Sequence, residues 1–347
     1  MKFFPLIYEP EKSNEVLKQT QIFIDNNPEI ELKINKLFWS YHSIFNIIPT
    51  TTESFWSGHN FPYNESWDEI QISFNLVCFG LYKQAMTSLR SALELGLLSV
   101  YYNINDDGHN AVKKWLSSSD SKESDTPKTQ EIWKIISQNQ NINNFQKNFD
   151  IRQDLIDLNY LHNFVHTKGH KFSNNLGKMK SNFQTFEKDF IEIWLNSLEK
   201  IVVIILTLHL LKFPSSLLDY DYGKKFGIDI PSFSHLSNFE IERIRDFFPA
   251  DYFSKLQEIC LSDEETINFR EWLESYDDMS EDDVENQIIE LDKHQIQQQG
   301  IKKYKKQQLK IYNVRKFADL SSRIQNRINI LEKWARKNNF IEPKWKK

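Results

Sequence analysis

The chain has 347 residues, 40% hydrophobic and 26% charged, enough to bury a core across about two domains and too apolar for disorder. Nine glycines and ten prolines are too few for the turns of an all-β fold, and no GxGxxG or GxxxxGK[ST] run supports a Rossmann or P-loop site. A net charge of −5 selects no partner class, and two cysteines, Cys78 and Cys260, exclude a disulfide framework or a cysteine-built zinc ribbon.

The first ten residues are too short and too interrupted, by Pro5 and Glu9, for a signal peptide, which points to the cytoplasm. Apolar residues at helical spacing predict helices over Glu15–Ile24 and Glu31–Ile48, separated by Asn27-Pro28. A polar loop follows over Thr50–Ser66. One long helix is predicted from Trp67 to Tyr102, with Ser66 as N-cap and Glu69 completing a capping box. Met86, Leu89, Leu93, Leu97 and Val100 form its apolar stripe, and Arg90 and Glu94 border it at a spacing that lets them pair.

Asn103–Gly108 closes that helix. Short helices are expected over Ala111–Leu116 and Glu131–Ile136, around a loop at Ser117–Lys128. A helix from Phe145 to about His166 should end near Gly169, and another from Phe183 to Phe213 carries Phe183, Phe186, Phe190, Ile193, Trp194, Leu198, Ile201 and Ile205 before Pro214 stops it. Its apolar run, Ile201–Leu211, is well short of the ~20 residues a membrane span needs.

The architecture expected is all-α: a helical bundle over residues 1–213, a linker at 214–231 rich in Pro and Gly for this chain, and a C-terminal helical region over 232–347. Helices are expected there over Asn238–Phe247 and Asp251–Ile259. Asp263–Asp292 holds thirteen carboxylates against one arginine, a net −12, and Ile301 onward carries a net +12. Gln295–Gln308 reads as a helical or flexible connector. Phe317, Leu320, Ile324, Ile328, Leu331 and Ala335 give the last helix an apolar stripe. Lys302, Lys303, Lys305, Lys306 and Lys310, with Tyr304 and Tyr312 interleaved, suit either a phosphate backbone with stacked bases, a solvated face, or a partner for the acidic segment in the same chain or another protein.

Chemistry concentrates in Tyr160-Leu161-His162-Asn163-Phe164-Val165-His166-Thr167-Lys168. On a helix, His162 and His166 share a face, with Asn159 and Asn163 beside them and Tyr160 and Phe164 opposite. Two imidazoles can take and give a proton near neutral pH, as a 2′-hydroxyl attacking its own phosphate requires. A zinc site of HExxH type would need Glu next to the first His, where Asn163 stands, so no metal or other cofactor is expected. Histidines satisfied in a helix contact are the structural alternative.

The helix VCFGLYKQAMTSLRSALELGLL and the later LNYLHNFVHTKG resemble the HEPN superfamily over roughly residues 67–213. The resemblance implies a small helical bundle acting as a homodimer, a metal-independent ribonuclease, and a toxin-like or phage-defence role. It places His166 at the motif's terminal histidine and His162 at its polar position, as catalytic residues. Asn159, Asn163, Lys168 and Arg90 are the accompanying substrate-binding candidates. The motif's arginine would stand where this chain has Leu161, so the phosphate-binding cation must come from elsewhere. Arg152 lies two heptads before His166, roughly 21 Å along an unbroken helix. The alternative is a catalytically inert helical module that assembles through its charged C-terminal region.

Overall fold

The structure is a computed structural model that describes residues 8–52, 56, 58–104, 108–118, 126–174, 184–231 and 233–342. Phe183, the centre of the Ser117–Lys128 loop, and parts of the 50–66 and 103–108 segments lie outside the described residues. The protein is all-α, with no β-strand among the described residues.

Contacts group the chain into two compact units, residues 1–219 with 232–269, and residues 220–231 with 270–347. The linear cut at 214–231 thus gives way to a discontinuous division. Residues 232–269 join the first unit because Tyr252 packs its ring on Phe145 and Phe149, and Asp263 accepts a 2.9 Å hydrogen bond from Asn141.

In the first unit, α1 (Pro10–Asp25) and α2 (Pro28–His42) each start on a proline, whose missing N–H costs nothing in a first turn. The long helix expected over Trp67–Tyr102 is two antiparallel helices, α3 (Phe61–Cys78) and α4 (Tyr82–Ile104). The break is a Schellman cap. The Leu81 amide donates to the Leu76 carbonyl at 2.8 Å and the Gly80 amide to Val77 at 3.0 Å, with Gly80 at φ +74°. Ser66 is no N-cap. It is buried inside α3, where its hydroxyl donates to the Ala92 carbonyl at 2.6 Å. One heptad on, Ser73 donates to the Ala85 carbonyl and accepts from the Trp194 indole. These small side chains draw α3 close to α4 and satisfy their own polar atoms in doing so.

The stripe Met86, Leu89, Leu93, Leu97 and Val100 is buried, as its spacing requires. The helix expected over Phe145–His166 is broken into α6 (Gln140–Gln146), α7 (Ile151–Asp157), a 3-10 turn (Leu158–Tyr160) and α8 (Leu161–Val165), following α5 (Thr129–Ile136). Asp150 caps α7 through the Gln153 amide at 2.9 Å, which starts a new helix where continuation was expected. α9 (Lys188–Lys212) packs on α2 and α4 and is buried along most of its length, although Ile193 of its expected stripe is exposed. On α9, His209 is fully buried between Ser99, 3.1 Å from Nε2, and the Ile205 carbonyl, 2.8 Å from Nδ1. α10 (Asn238–Arg245) and α11 (Ala250–Ser262) complete this unit.

The second unit is built on α12 (Glu281–Gln299), α13 (Ile301–Ile311) and α14 (Ser322–Lys337). Its core holds Ile289, Ile296, Ile301, Tyr304, Leu320, Ile328, Leu331 and Ala335. The Gln295–Gln308 stretch is two helices hinged at Gly300, whose φ of +78° suits glycine alone. Acidic α12 and basic α14 meet through ion pairs: Arg323 to Glu281 (3.1 Å) and Glu285 (2.8 Å), and buried Arg327 to Glu285 (3.5 Å) and Asp292 (3.6 Å). Tyr304 is fully buried and therefore offers no ring for stacking a base. Lys302 and Lys305 pair with Glu342 and Glu332, each at 2.6 Å. Among the described residues no helix is long and apolar enough to cross a membrane.

Candidate functional site

α8 is a single short helix packed on α4, and its end is unusual. The Lys168 amide donates to the Asn163 carbonyl at 3.0 Å, closing the helix, and Thr167 takes a left-handed φ of +46° two residues ahead of Gly169 at +76°. A β-branched residue there is strained. The Thr167 hydroxyl accepts a 2.7 Å hydrogen bond from Lys83 at the start of α4, which helps hold the turn.

This geometry brings His162 and His166 together, with ring centroids 4.1 Å apart and planes inclined at 57°. His166 is exposed and His162 half-buried, so the pair faces solvent rather than filling a helix contact. Leu161 is fully buried. The position preceding His162 is therefore core, and no cation can occupy it without loss of packing.

A cation arrives instead from α4. Arg90 is 9% exposed and pairs with Glu94, NH2 to Oε1 at 2.6 Å. Its Nε is buried and has no partner among the described residues. Partial burial first, then the charges of His166, Lys168 and Arg90, lower the His162 pKa, against the opposing pull of Glu94. Arg90, Glu94, His162, His166 and Lys168 thus form one electrostatic neighbourhood. Asn163 is half-buried beside it.

Asn159 sits in the 3-10 turn, and its side chain lies along an adjoining cleft of about 570 Å³. Arg90, Arg152 and Trp133 line the same cleft, with an apolar wall that includes Leu93 and Leu155. A 3-10 turn, Leu158–Tyr160, separates the helix of Arg152 from α8. Arg152 shares a cleft with Arg90 and Asn159. Sequence reasoning missed Trp133 altogether. It comes from α5, and no local pattern marks it as a cleft residue. A larger cleft of about 790 Å³ beside Trp39, Phe239 and Arg243 holds no residue of this cluster.

Among the described residues, no three His, Cys, Asp or Glu side chains converge to hold a metal ion. Both cysteines are buried, and burial pushes the thiols up, Cys78 to about 11 and Cys260 to about 12, which makes them poor nucleophiles. No family model, curated protein or solved structure matches this chain, so any functional reading stands on the residues of this cluster.

Proposed function

We propose that the first unit is a HEPN-like domain that binds and cleaves RNA without a metal, acting as a homodimer in a toxin-like or defence role in the cytoplasm. One observation carries this reading: two solvent-facing imidazoles 4.1 Å apart, beside a nearly buried arginine with donors to spare. His162, whose pKa is lowered by partial burial and by the neighbouring cations, is the base that accepts the 2′-hydroxyl proton as that oxygen attacks the adjacent phosphorus. His166, exposed, is the acid that donates a proton to the departing 5′-oxygen as the P–O bond breaks. The products are a 2′,3′-cyclic phosphate and a free 5′-hydroxyl. Arg90 contributes positive charge to the phosphate in place of the side chain that Leu161 cannot supply, with Lys168 and Asn163 near the same phosphate.

The test is incubation of RNA with wild type and His166→Ala in EDTA. The expected result is cleavage by wild type with cyclic-phosphate ends, abolished in His166→Ala and reduced less in His162→Ala. Cleavage that survives in His166→Ala, or that EDTA stops, refutes the assignment.

A second reading rests on the burial of Leu161 and the Arg90–Glu94 pair. Both suit a helical module without catalysis that assembles through its charged C-terminal region. Absence of both binding and cleavage of RNA under every buffer condition favours it.

A further inference from the structure

We infer that the cleft between α4, α5 and α7 holds one unpaired nucleotide of the RNA strand, next to the phosphate presented to the histidines. The inference rests on the proposed RNA reading and adds to it a nucleotide subsite built by α5 and α7, outside the histidine pair.

The argument begins with what the cleft offers. Arg90 and Arg152 both line it. A guanidinium offers a planar fork of donors that matches phosphate oxygens. Arg152 is exposed and enters no ion pair among the described residues, so its charge is not spent within the unit. Arg90 spends one donor on Glu94 and its Nε is buried, so what it brings to the cleft is chiefly charge. Two guanidinia on one cleft attract an anion.

A simple anion would not need the rest of the lining. Leu93 and Leu155 make an apolar wall, and Trp133 is half-buried in it, the exposure of a ring that still has surface to stack on. Asn159 and Gln130 are exposed amides on the same rim, each with both a donor and an acceptor to meet a base edge. A phosphate-binding fork beside a second positive charge, a stacking ring and edge-reading amides are together the recognition chemistry of a nucleotide. A volume of about 570 Å³ takes one such unit. A base held in a duplex has its faces covered by neighbours and its edge paired, so it cannot enter. Arg90 lies in both the cleft and the histidine cluster, so a nucleotide seated here places its phosphate toward His162.

The probe is a short single-stranded 2′-O-methyl RNA with a fluorescent label, read by anisotropy. Its blocked 2′-oxygens cannot attack, so binding is measured without cleavage. The full chain should bind the single strand at least about tenfold more tightly than the same sequence as a duplex. Arg152→Gln and Trp133→Leu should each weaken single-strand binding about tenfold. Arg152→Gln should also reduce the salt slope by about 0.7. Equal affinity for duplex and single strand, or wild-type affinity in both variants, overturns the inference. Arg152 is exposed, so its variant keeps the test intact if Trp133→Leu fails to fold, as circular dichroism will report. The two proposals fail separately. Single-strand binding that needs Arg152 and Trp133, with no cleavage of unmodified RNA, leaves the nucleotide cleft standing and removes the ribonuclease. Cleavage that needs His166 but ignores Arg152→Gln and Trp133→Leu does the reverse.

Discussion

Leu161→Arg puts the side chain expected from the HEPN resemblance into this chain, and the structure fixes its cost. Leu161 is fully buried in α8 against α4. Truncating a buried leucine costs about 2–5 kcal/mol through lost transfer energy and the cavity left behind. Arginine refills the volume but brings a charge that cannot be shed by deprotonation. Glu94 of α4 is already paired with Arg90 and is not open to the new charge. The total loss should reach about 4 kcal/mol or more. For a unit of this size, each kcal/mol is worth about 2–4 °C in melting temperature. A fall of about 10 °C is expected by thermal circular dichroism, with RNA cleavage no higher than wild type. Leu161→Met, which conserves volume, should stay within about 1.5 kcal/mol and serves as the control. A Leu161→Arg protein that melts with wild type and cleaves faster would refute the reasoning. It would mean that the position opens toward the histidines, and that Arg90 is not the cation of the site.

Three further outcomes follow from buried groups and strained backbone. Burial lowers the His209 pKa from 6.5 to about 4, so between those values the unfolded chain binds a proton that the folded one refuses. Stability should therefore be complete above pH 6.5, fall by about 3 kcal/mol as pH drops to 4, and flatten below; urea melts of wild type and His209→Gln across that range check it, and an equal slope in both rejects it. Thr167→Gly should raise the melting temperature by a degree or two, because relief of about 1–2 kcal/mol of left-handed strain exceeds the entropy cost of glycine, about 0.5–1 kcal/mol; a lower melting temperature would mean that the Lys83 hydrogen bond outweighs the strain. Gly300→Ala should destabilise the second unit by about 3 kcal/mol, since its Cβ would fall 2.7 Å from the Ile341 carbonyl oxygen at a φ of +78°, and a neutral substitution in denaturant melts would contradict that close approach.

The helical class could be read from the sequence because three- and four-residue stripes are a local property. Met86 to Val100 and Ile328 to Ala335 behave as their spacing requires, whereas Phe317 and Leu320, expected on the last helix, fall in a 3-10 turn and its cap ahead of α14. The breaks could not be read as easily. Phe79-Gly80-Leu81 carries a C-cap glycine, but the apolar pattern runs across it in register, and only packing shows that α3 and α4 fold back on each other. Ser66 looks like a cap because serine favours helix starts, yet here it serves a helix contact, a choice made by Ala92 and Tyr41 from other segments. Likewise Tyr304 falls among lysines in sequence, but Ile301, Tyr304 and Gln308 share the inner face of α13.

The candidate site divides along the same line. Two histidines one turn apart are visible in any helical reading, and the absence of an arginine before His162 is visible with them. What the sequence hides is the compensation. Arg90 lies seventy-two residues upstream of His162, and Arg152 and Trp133 come from two further helices. Their convergence depends on the fold-back at Gly80 and on the Asp150 cap that breaks the chain ahead of α7. The irregular α6–α8 stretch is therefore the part of the fold that assembles the cleft, and it is held by caps and turns more than by apolar stripes. Such segments open at lower free energy than long buried helices. Amide exchange in α7 and α8 should be faster than in α4 or α9, and ligand entering the cleft should slow it there first.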